Sequence, residues 1–196
     1  MVKGYIQSEG IDYEETFSLV IKSASICLIL AIITHLDLEL YQMNVKTVFL
    51  NGKLDEEIYM DQPVGFVANG EEHKVCKLWR SIYDLKQSSR QWYFKFHQTI
   101  ISNGFTMIEE YHYVYVKWSK GNFLVLTLYV DDILLAKNVK EMIFTMQGWL
   151  SSKFKMKDMG EGSYMLRVKI LRGRSRRLLN LSQETYIKKV LKRFHM

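Results

Sequence analysis

Three apolar stretches follow one another between Tyr111 and Ala136, and short polar breaks separate them. They read YHYVYVKW, NFLVLTLYV and ILLA. Each is rich in β-branched, aromatic or leucine side chains and has the length of a strand rather than of a helix. The breaks lie at 119–122 and at Asp131-Asp132. We therefore expect hairpin connections and an antiparallel sheet in this part of the chain.

Helical patterns alternate irregularly with such strands. The helices are expected at Ser23 to about His35, from Ser88 or Ser89 to Gly104, at about Lys140 to Ser152, and from Ser182 onwards. Further strands are expected in YQMNVKTVFLNG, EEIYM, KVCKLWR, SYMLRVKIL and RLLNLS, the last two forming a hairpin around a basic turn. This alternation predicts an α+β fold, an antiparallel sheet with helices packed on one face.

Composition sets outer limits on what the chain can be. Its 196 residues are 48% hydrophobic and 24% charged, which suits one large domain or two small subdomains. The net charge of +6 favours a polyanionic partner such as nucleic acid, although an ordinary basic surface would look the same. The most apolar run, 24–33, is shorter than a bilayer span, so no membrane association is expected.

Cysteine usage and the start of the sequence bear on the compartment. Cys27 and Cys76 match no zinc-site spacing and lie far apart in sequence, which favours free thiols. The opening MVKGYIQSEGIDYEE is polar and acidic, unlike a signal peptide. We expect an intracellular, reducing location, in the cytoplasm or the nucleus.

The adjacent carboxylates Asp131 and Asp132 are the sharpest chemical feature. They interrupt apolar sequence, where paired acids are costly to bury unless a cation neutralises them. Mg²⁺ takes oxygen ligands and often uses one or two carboxylates together with substrate phosphates. Two such ions can serve a phosphoryl transfer. From these residues alone, a simple hairpin turn with both acids facing water is the favoured explanation.

Six ordered blocks of the sequence resemble the reverse transcriptases of copia-type retrotransposons, and together they cover nearly the whole chain. They are GYIQSEGIDYEETFSLV, YQMNVKTVFLNGKLDEEIYMDQPVGF, VCKLWRSIYDLKQSSRQWYFKF, LYVDDILL, FKMKDMGEGSYMLRVKI and LSQETYIKKVLKRF. The resemblance implies a right-hand polymerase with fingers and palm. It also implies RNA-directed DNA synthesis, in which deoxynucleoside triphosphates are added to a primer on an RNA or DNA template.

The resemblance also assigns site residues. Three palm acids bind two Mg²⁺ ions in the family, and Asp131 and Asp132 match two of them. Val45 would offer its backbone carbonyl to a metal, and Phe49 would exclude a 2′-hydroxyl. Gln87 and Arg90 would lie near the incoming nucleotide and the template.

Each of these further assignments has a plainer alternative. Val45 and Phe49 could be core residues of a half-buried strand. Gln87 and Arg90 could be solvated residues at a helix start. Basic residues expected along a nucleic-acid groove could equally be ordinary surface charges: Lys46, Lys86, Lys95, Arg172, Arg174, Arg176 and Arg177.

The chain departs from the family pattern at its most sensitive position. Asn44 stands where the family has its first catalytic aspartate. A neutral amide cannot supply the negative charge that offsets two divalent ions, so we expect weakened metal binding. Loss of one strong electrostatic contact in an active site typically costs ~10²–10³ in rate.

Other departures point the same way. Asp84, Lys137 and Arg167 replace glycines of the family, while Leu19 and Cys27 replace a proline and an arginine. By this resemblance, we expect residues 1–196 to span fingers and palm, without an upstream finger strand, a thumb and connection, or an RNase H domain. We expect a catalytically impaired or inactive copy. The alternatives are a non-enzymatic nucleic-acid-binding remnant and a pseudogene product without function.

Overall fold

The computed structural model describes residues 7–11, 13, 16, 23–67, 69–119, 121–138, 140–165 and 168–194. The chain divides into two compact units. The ribbon unit comprises Met1–Val20 and Lys46–Gly104, and the sheet unit comprises Ile21–Val45 and Phe105–Met196. Each unit is described by itself below.

The sheet unit is built on a six-stranded antiparallel sheet. Its strands are β1 (Glu39–Val45), β4 (Thr106–Ile108), β5 (Tyr111–Ser119), β6 (Asn122–Tyr129), β7 (Asp132–Lys137) and β8 (Met156–Glu161). The intervening strands β2 (Lys53–Asp61) and β3 (Val75–Arg80) belong to the ribbon unit. The strand order is β4-β5-β6-β7-β1-β8. Strand β1, early in the sequence, therefore lies between two strands from the second half of the chain, and this insertion positions the site described below.

Helices and a smaller sheet complete the sheet unit. Helix α3 (Lys140–Lys153) contacts β1, β7 and β8, and the ring of Phe144 meets that of Tyr41 edge-on at 5.7 Å. A second antiparallel sheet contains β9 (Tyr164–Met165), β10 (Val168–Gly173) and β11 (Leu178–Ser182). Helix α1 (Ser23–His35) contacts β11, and helix α4 (Glu184–Arg193) follows it.

The ribbon unit joins a two-stranded ribbon to one long helix. Strands β2 (Lys53–Asp61) and β3 (Val75–Arg80) pair antiparallel, and helix α2 is Ser88–Ser102. A short 3₁₀ turn at Val48–Asn51 precedes β2 and contacts α2. A Cβ atom on Gly52 would lie 2.8 Å from the Cβ of Gln91, so only glycine permits this close approach.

Several sequence expectations are confirmed, including helix α1 at Ser23–His35 and the hairpins β5–β6 and β10–β11. The mixed architecture with antiparallel sheets agrees with the α+β class, and α3 packs on the large sheet. Among the described residues, no helix is both long enough and apolar enough to cross a bilayer.

Other expectations were wrong in detail. The strand predicted through Gly52 ends at Val45, because Thr47 takes a left-handed conformation (φ 50°) and the 3₁₀ turn follows. Helix α2 has Gln87 in its cap position without a side-chain capping bond, and the Ser88 hydroxyl donates to the carbonyl of Ile82 instead. Strand β8 was missed because its sequence, MKDMGE, is largely polar and exposed.

Candidate active site

The two acids and Asn44 meet at one end of the large sheet. Strands β6 and β7 form a hairpin in which Tyr129 pairs with Asp132, so Val130 and Asp131 make the turn. Asn44, the penultimate residue of β1, pairs with Asp132 across the adjacent strand. Directly paired residues point to the same face of a sheet, so Asn44 and Asp132 share a face.

The amide of Asn44 links the two carboxylates. Its Nδ2 donates to Oδ2 of Asp131 at 2.9 Å and to Oδ1 of Asp132 at 3.0 Å. The structure thus brings together the three side chains that the sequence motifs assign to one site, across 87 residues of sequence. Their role as metal ligands stays a prediction.

The backbone holds this hairpin tip against β1. The N–H of Val45 donates to the carbonyl oxygen of Asp131 at 2.7 Å, and the Val45 side chain is buried. Val130 has a positive φ of 51°, a conformation in which a β-branched residue is strained. Such strain persists where the surroundings fix the backbone and is concentrated at functional sites.

The arrangement of donors decides which ions the site suits. Mg²⁺ requires oxygen ligands, and two ions in one site require a large excess of negative charge. Here the amide directs N–H groups at the carboxylate oxygens that a metal would use. The described residues contain no group of three or more His, Cys, Asp or Glu able to hold a metal. The residues present therefore do not fit a two-ion site.

The expected nucleotide and template residues belong to the ribbon unit. Phe49 lies in the 3₁₀ turn rather than in a strand, and its ring meets that of Tyr83 edge-on at 5.0 Å. Gln87 is fully buried and accepts a hydrogen bond from Gln7 at 3.3 Å. The guanidinium of Arg90 lies 4.9 Å from the Phe94 ring centre. The alternative of a solvated residue is therefore wrong for Gln87, whereas Arg90 is half-buried.

The structure also places three of the residues that differ from the family pattern. Asp84 has φ of 75°, a conformation that glycine adopts freely and aspartate less so. Lys137 is fully buried, its ammonium contacts the sulfur of Met142, and burial lowers its pKa. Cys27 is exposed as a free thiol. Leu19 and Arg167 lie outside the described residues.

Sequence reasoning missed a second polar cluster, which we call the arginine clasp: Asp37, Glu39, Arg172 and Arg174. Arg174 donates to Oδ1 of Asp37 at 2.9 Å and to Oε1 of Glu39 at 2.7 Å, and Arg172 donates to the carbonyl of Leu38 at 2.8 Å. The hydrogen bond from Arg174 lowers the pKa of Asp37. The paired residues lie more than 130 positions apart, so their opposite charges were the only signal in the sequence for this pairing.

Comparison of the sequence with known proteins identifies its family. The family model described as reverse transcriptase (RNA-dependent DNA polymerase) matches residues 1–196. The chain is 49% identical, over its whole length, to the retrovirus-related Pol polyprotein from transposon TNT 1-94 of Nicotiana tabacum. It is 35% identical over its whole length to that from transposon RE1 of Arabidopsis thaliana. Over 75% of the chain it is 32% identical to a putative transposon Ty5-1 protein of Saccharomyces cerevisiae, covering 47% of that protein.

The chain therefore belongs to the reverse transcriptase family, as a domain of the kind found in Pol polyproteins of copia-type retrotransposons. It spans 15% of the tobacco polyprotein and 13% of the Arabidopsis one. No solved structure matches it significantly.

Proposed function

We propose that this chain has the fingers and palm of a right-hand polymerase, the ribbon unit corresponding to the fingers and the sheet unit to the palm. The ancestral reaction is RNA-directed DNA polymerisation, joining deoxynucleoside triphosphates to a primer on an RNA or DNA template. The observation that carries the proposal is the meeting of Asn44, Asp131 and Asp132 at one hairpin tip.

In the family, Mg²⁺ would supply positive charge to the triphosphate and to the primer hydroxyl. In this chain Asp131 and Asp132 are the candidate ligands, together with the carbonyl of Val45. The amide of Asn44 competes for the same carboxylate oxygens. A neutral donor at this position leaves too little negative charge for two ions, so we propose that this copy has little or no polymerase activity.

Phe49, Gln87 and Arg90 are proposed to serve nucleotide and template indirectly. The burial of Gln87 and the stacking of Arg90 on Phe94 favour a role in fixing the backbone at the start of α2. Phe49 packs against Tyr83, next to the left-handed Asp84. The proposed exclusion of a nucleotide 2′-hydroxyl by Phe49 depends on the position of the Phe49 ring.

Primer extension tests the proposal. We expect the chain as given to incorporate no nucleotide on a primed RNA or DNA template with Mg²⁺. Asn44→Asp should yield weak, template-dependent incorporation, because it restores the third carboxylate but leaves the other departures in place. Asn138→Asp is the matched control, since its amide bonds Asn122 on the surface, and it should stay inactive. Robust synthesis by the unmodified chain would show the proposed impairment to be wrong.

A second candidate function is nucleic-acid binding without catalysis. The sheet unit carries eighteen Lys and Arg against ten Asp and Glu, a balance of +8. Within it, a concave site of about 330 Å³ between α4 and β10 is lined by the lysines Lys169, Lys188, Lys189 and Lys192 and by Tyr164. Lys188 forms an ion pair with Glu184, which also lines this site, and Arg172 and Arg174 are engaged in the clasp. Lys169, Lys189 and Lys192 are therefore the candidate phosphate contacts.

Salt-dependent binding distinguishes this candidate from a product with no function. Binding to a primer–template should be sequence-independent and should weaken as salt rises, because each phosphate contact releases counterions. The double variant Lys189→Gln/Lys192→Gln should reduce the slope of log affinity against log salt by roughly one to two. Absence of binding at low salt would favour a non-functional product.

Location in a reducing compartment stays a prediction.

A further inference from the structure

The outer face of the β2–β3 ribbon is uncovered and aromatic. Tyr59 on β2 pairs directly with Lys77 on β3, so these two side chains share one face with Glu57, Asp61 and Trp79. The Trp79 side chain is 80% exposed and Tyr59 is 52% exposed. An exposed tryptophan beside an exposed tyrosine marks a surface suited to binding.

These rings already hold a cation. The ammonium of Lys77 lies 5.7 Å from the ring centre of Tyr59 and 5.9 Å from that of Trp79. Lys77 also forms an ion pair with Glu57, whose other oxygen accepts a hydrogen bond from the Tyr59 hydroxyl at 3.2 Å. The face therefore combines two cation-binding rings with carboxylates, and most of the Trp79 ring is left free.

The charge of the ribbon distinguishes between possible occupants. Residues 53–80 contain six acidic and four basic residues, whereas the rest of the chain contains fifteen acidic and twenty-three basic residues. A phosphate backbone would be repelled by an acidic surface, while arginine and lysine side chains would find both carboxylates and ring faces. The ribbon also consists of only two strands, so an edge along its length can pair with an extended segment.

We propose that the outer face of the β2–β3 ribbon, formed by Glu57, Tyr59, Asp61, Lys77 and Trp79, binds an extended arginine- and lysine-rich polypeptide segment. A guanidinium of the partner stacks on Trp79, and the carboxylates of Glu57 and Asp61 neutralise neighbouring cations. Lys77 acts as an internal competitor for the same rings. This interaction surface is independent of the polymerase site and of its activity.

Fluorescence anisotropy of a labelled oligoarginine peptide, titrated with the full chain, tests the proposal. Trp79→Ala should weaken binding by roughly tenfold. Trp118→Ala is the matched control, because Trp118 is 71% exposed and packs against Phe123 on another hairpin, and it should leave binding unchanged. Lys77→Gln should strengthen binding roughly two- to fivefold, because it frees both rings and Glu57.

Two outcomes would overturn the proposal. One is equal peptide affinity for the unmodified chain and Trp79→Ala, with circular dichroism showing both to be folded. The other is that labelled oligothymidylate loses as much affinity on Trp79→Ala as oligoarginine does, which would make the face a nucleic-acid surface. We expect oligothymidylate binding to be insensitive to Trp79→Ala, since twenty-three of the twenty-seven basic residues lie outside 53–80.

Discussion

Strand β1 has a polar cluster at each end, and the two clusters are balanced differently. Near its first residue, Glu39 and the preceding Asp37 are held by the guanidinium groups of the arginine clasp. Near its last residue, the neutral amide of Asn44 donates hydrogen bonds to the carboxylates of Asp131 and Asp132. One cluster is neutralised within the protein, and the other retains the negative charge of Asp131 and Asp132.

We propose that this difference separates a structural cluster from a ligand-binding site. Opposite charges fixed in good geometry stabilise the connection between the α1–β1 turn and the β10–β11 hairpin. Two carboxylates at a strained hairpin tip do not stabilise a fold by themselves, because like charges repel. In this chain the Asn44 amide donates to both carboxylates, and we propose that it takes the place of a cation there.

The largest expected effect follows from returning the acid to this site. In the absence of metal, Asn44→Asp should destabilise the chain by about 3 kcal/mol, because two charge-assisted hydrogen bonds are lost and a third carboxylate is added. For a protein of this size that lowers Tm by roughly 6–12 °C. Thermal unfolding in chelator measures it, and Mg²⁺ should recover part of the loss.

The control for that measurement is Asn138→Asp, which makes the same charge change at an exposed position of the same unit. It should alter Tm little, with or without Mg²⁺. If both variants lost the same amount of Tm, a negative charge at residue 44 would have no specific effect on stability. The proposed difference between the two ends of β1 would then be wrong.

A smaller loss is expected at the neutralised end. Arg174→Ala should lower Tm by a few degrees, because Asp37 and Glu39 lose a shared donor in a partly exposed setting. Arg176→Ala, in the same turn and also exposed, removes a charge outside the clasp and should have little effect. If Arg174→Ala and Arg176→Ala changed Tm by the same amount, the arginine clasp would not stabilise the fold.

The effect of Arg174→Ala should depend on pH in a defined direction. The pKa of Asp37 is lowered in the folded chain, so its contribution is complete above the ordinary aspartate pKa and is lost as pH falls through the lowered value. The difference in Tm between the unmodified chain and Arg174→Ala should therefore be largest at pH 7 and should shrink below about pH 4. A difference that grew on acidification would contradict the assignment.

An effect of the opposite sign concerns Lys137, which pairs with Glu39 in the sheet. Lys137→Met should stabilise the chain by about 1–2 kcal/mol, because a buried ammonium is replaced by an apolar side chain of similar length. Denaturant unfolding measures it, with the exposed Lys169→Met as control.

Burial lowers the pKa of Lys137, so the gain should be present near neutral pH and should vanish as pH rises towards the ordinary lysine value of 10.5. A loss of stability in Lys137→Met would show that the ammonium has a stabilising partner.

How far the sequence predicts this molecule depends on the range of the interactions. The hairpins β5–β6 and β10–β11 follow from local apolar patterns and turns, and those predictions are confirmed. The approach of Asn44 to Asp131 came from resemblance to a family, because no local rule joins residues 87 positions apart. Neither the local patterns nor the family resemblance predicted the arginine clasp, because its pairing is long-range and matches none of the motifs.

Conformations imposed by tertiary packing were also beyond local reasoning. Thr47 and Val130 have positive φ, although neither residue type favours it. The first ends β1 sooner than its apolar pattern predicts, and the second tightens the hairpin that presents Asp131. Strand β8 lacks an alternating pattern, because most of its residues are exposed.

Calorimetric titration with Mg²⁺ tests most directly whether the Asn44 amide stands in for a cation. The unmodified chain and Asn138→Asp should show little or no saturable binding. Asn44→Asp should bind at least about tenfold more tightly, because a direct ligand contributes no less than the outer groups that support one. Equal Mg²⁺ affinity in the unmodified chain and Asn44→Asp would contradict the account, whether both bind tightly or neither does.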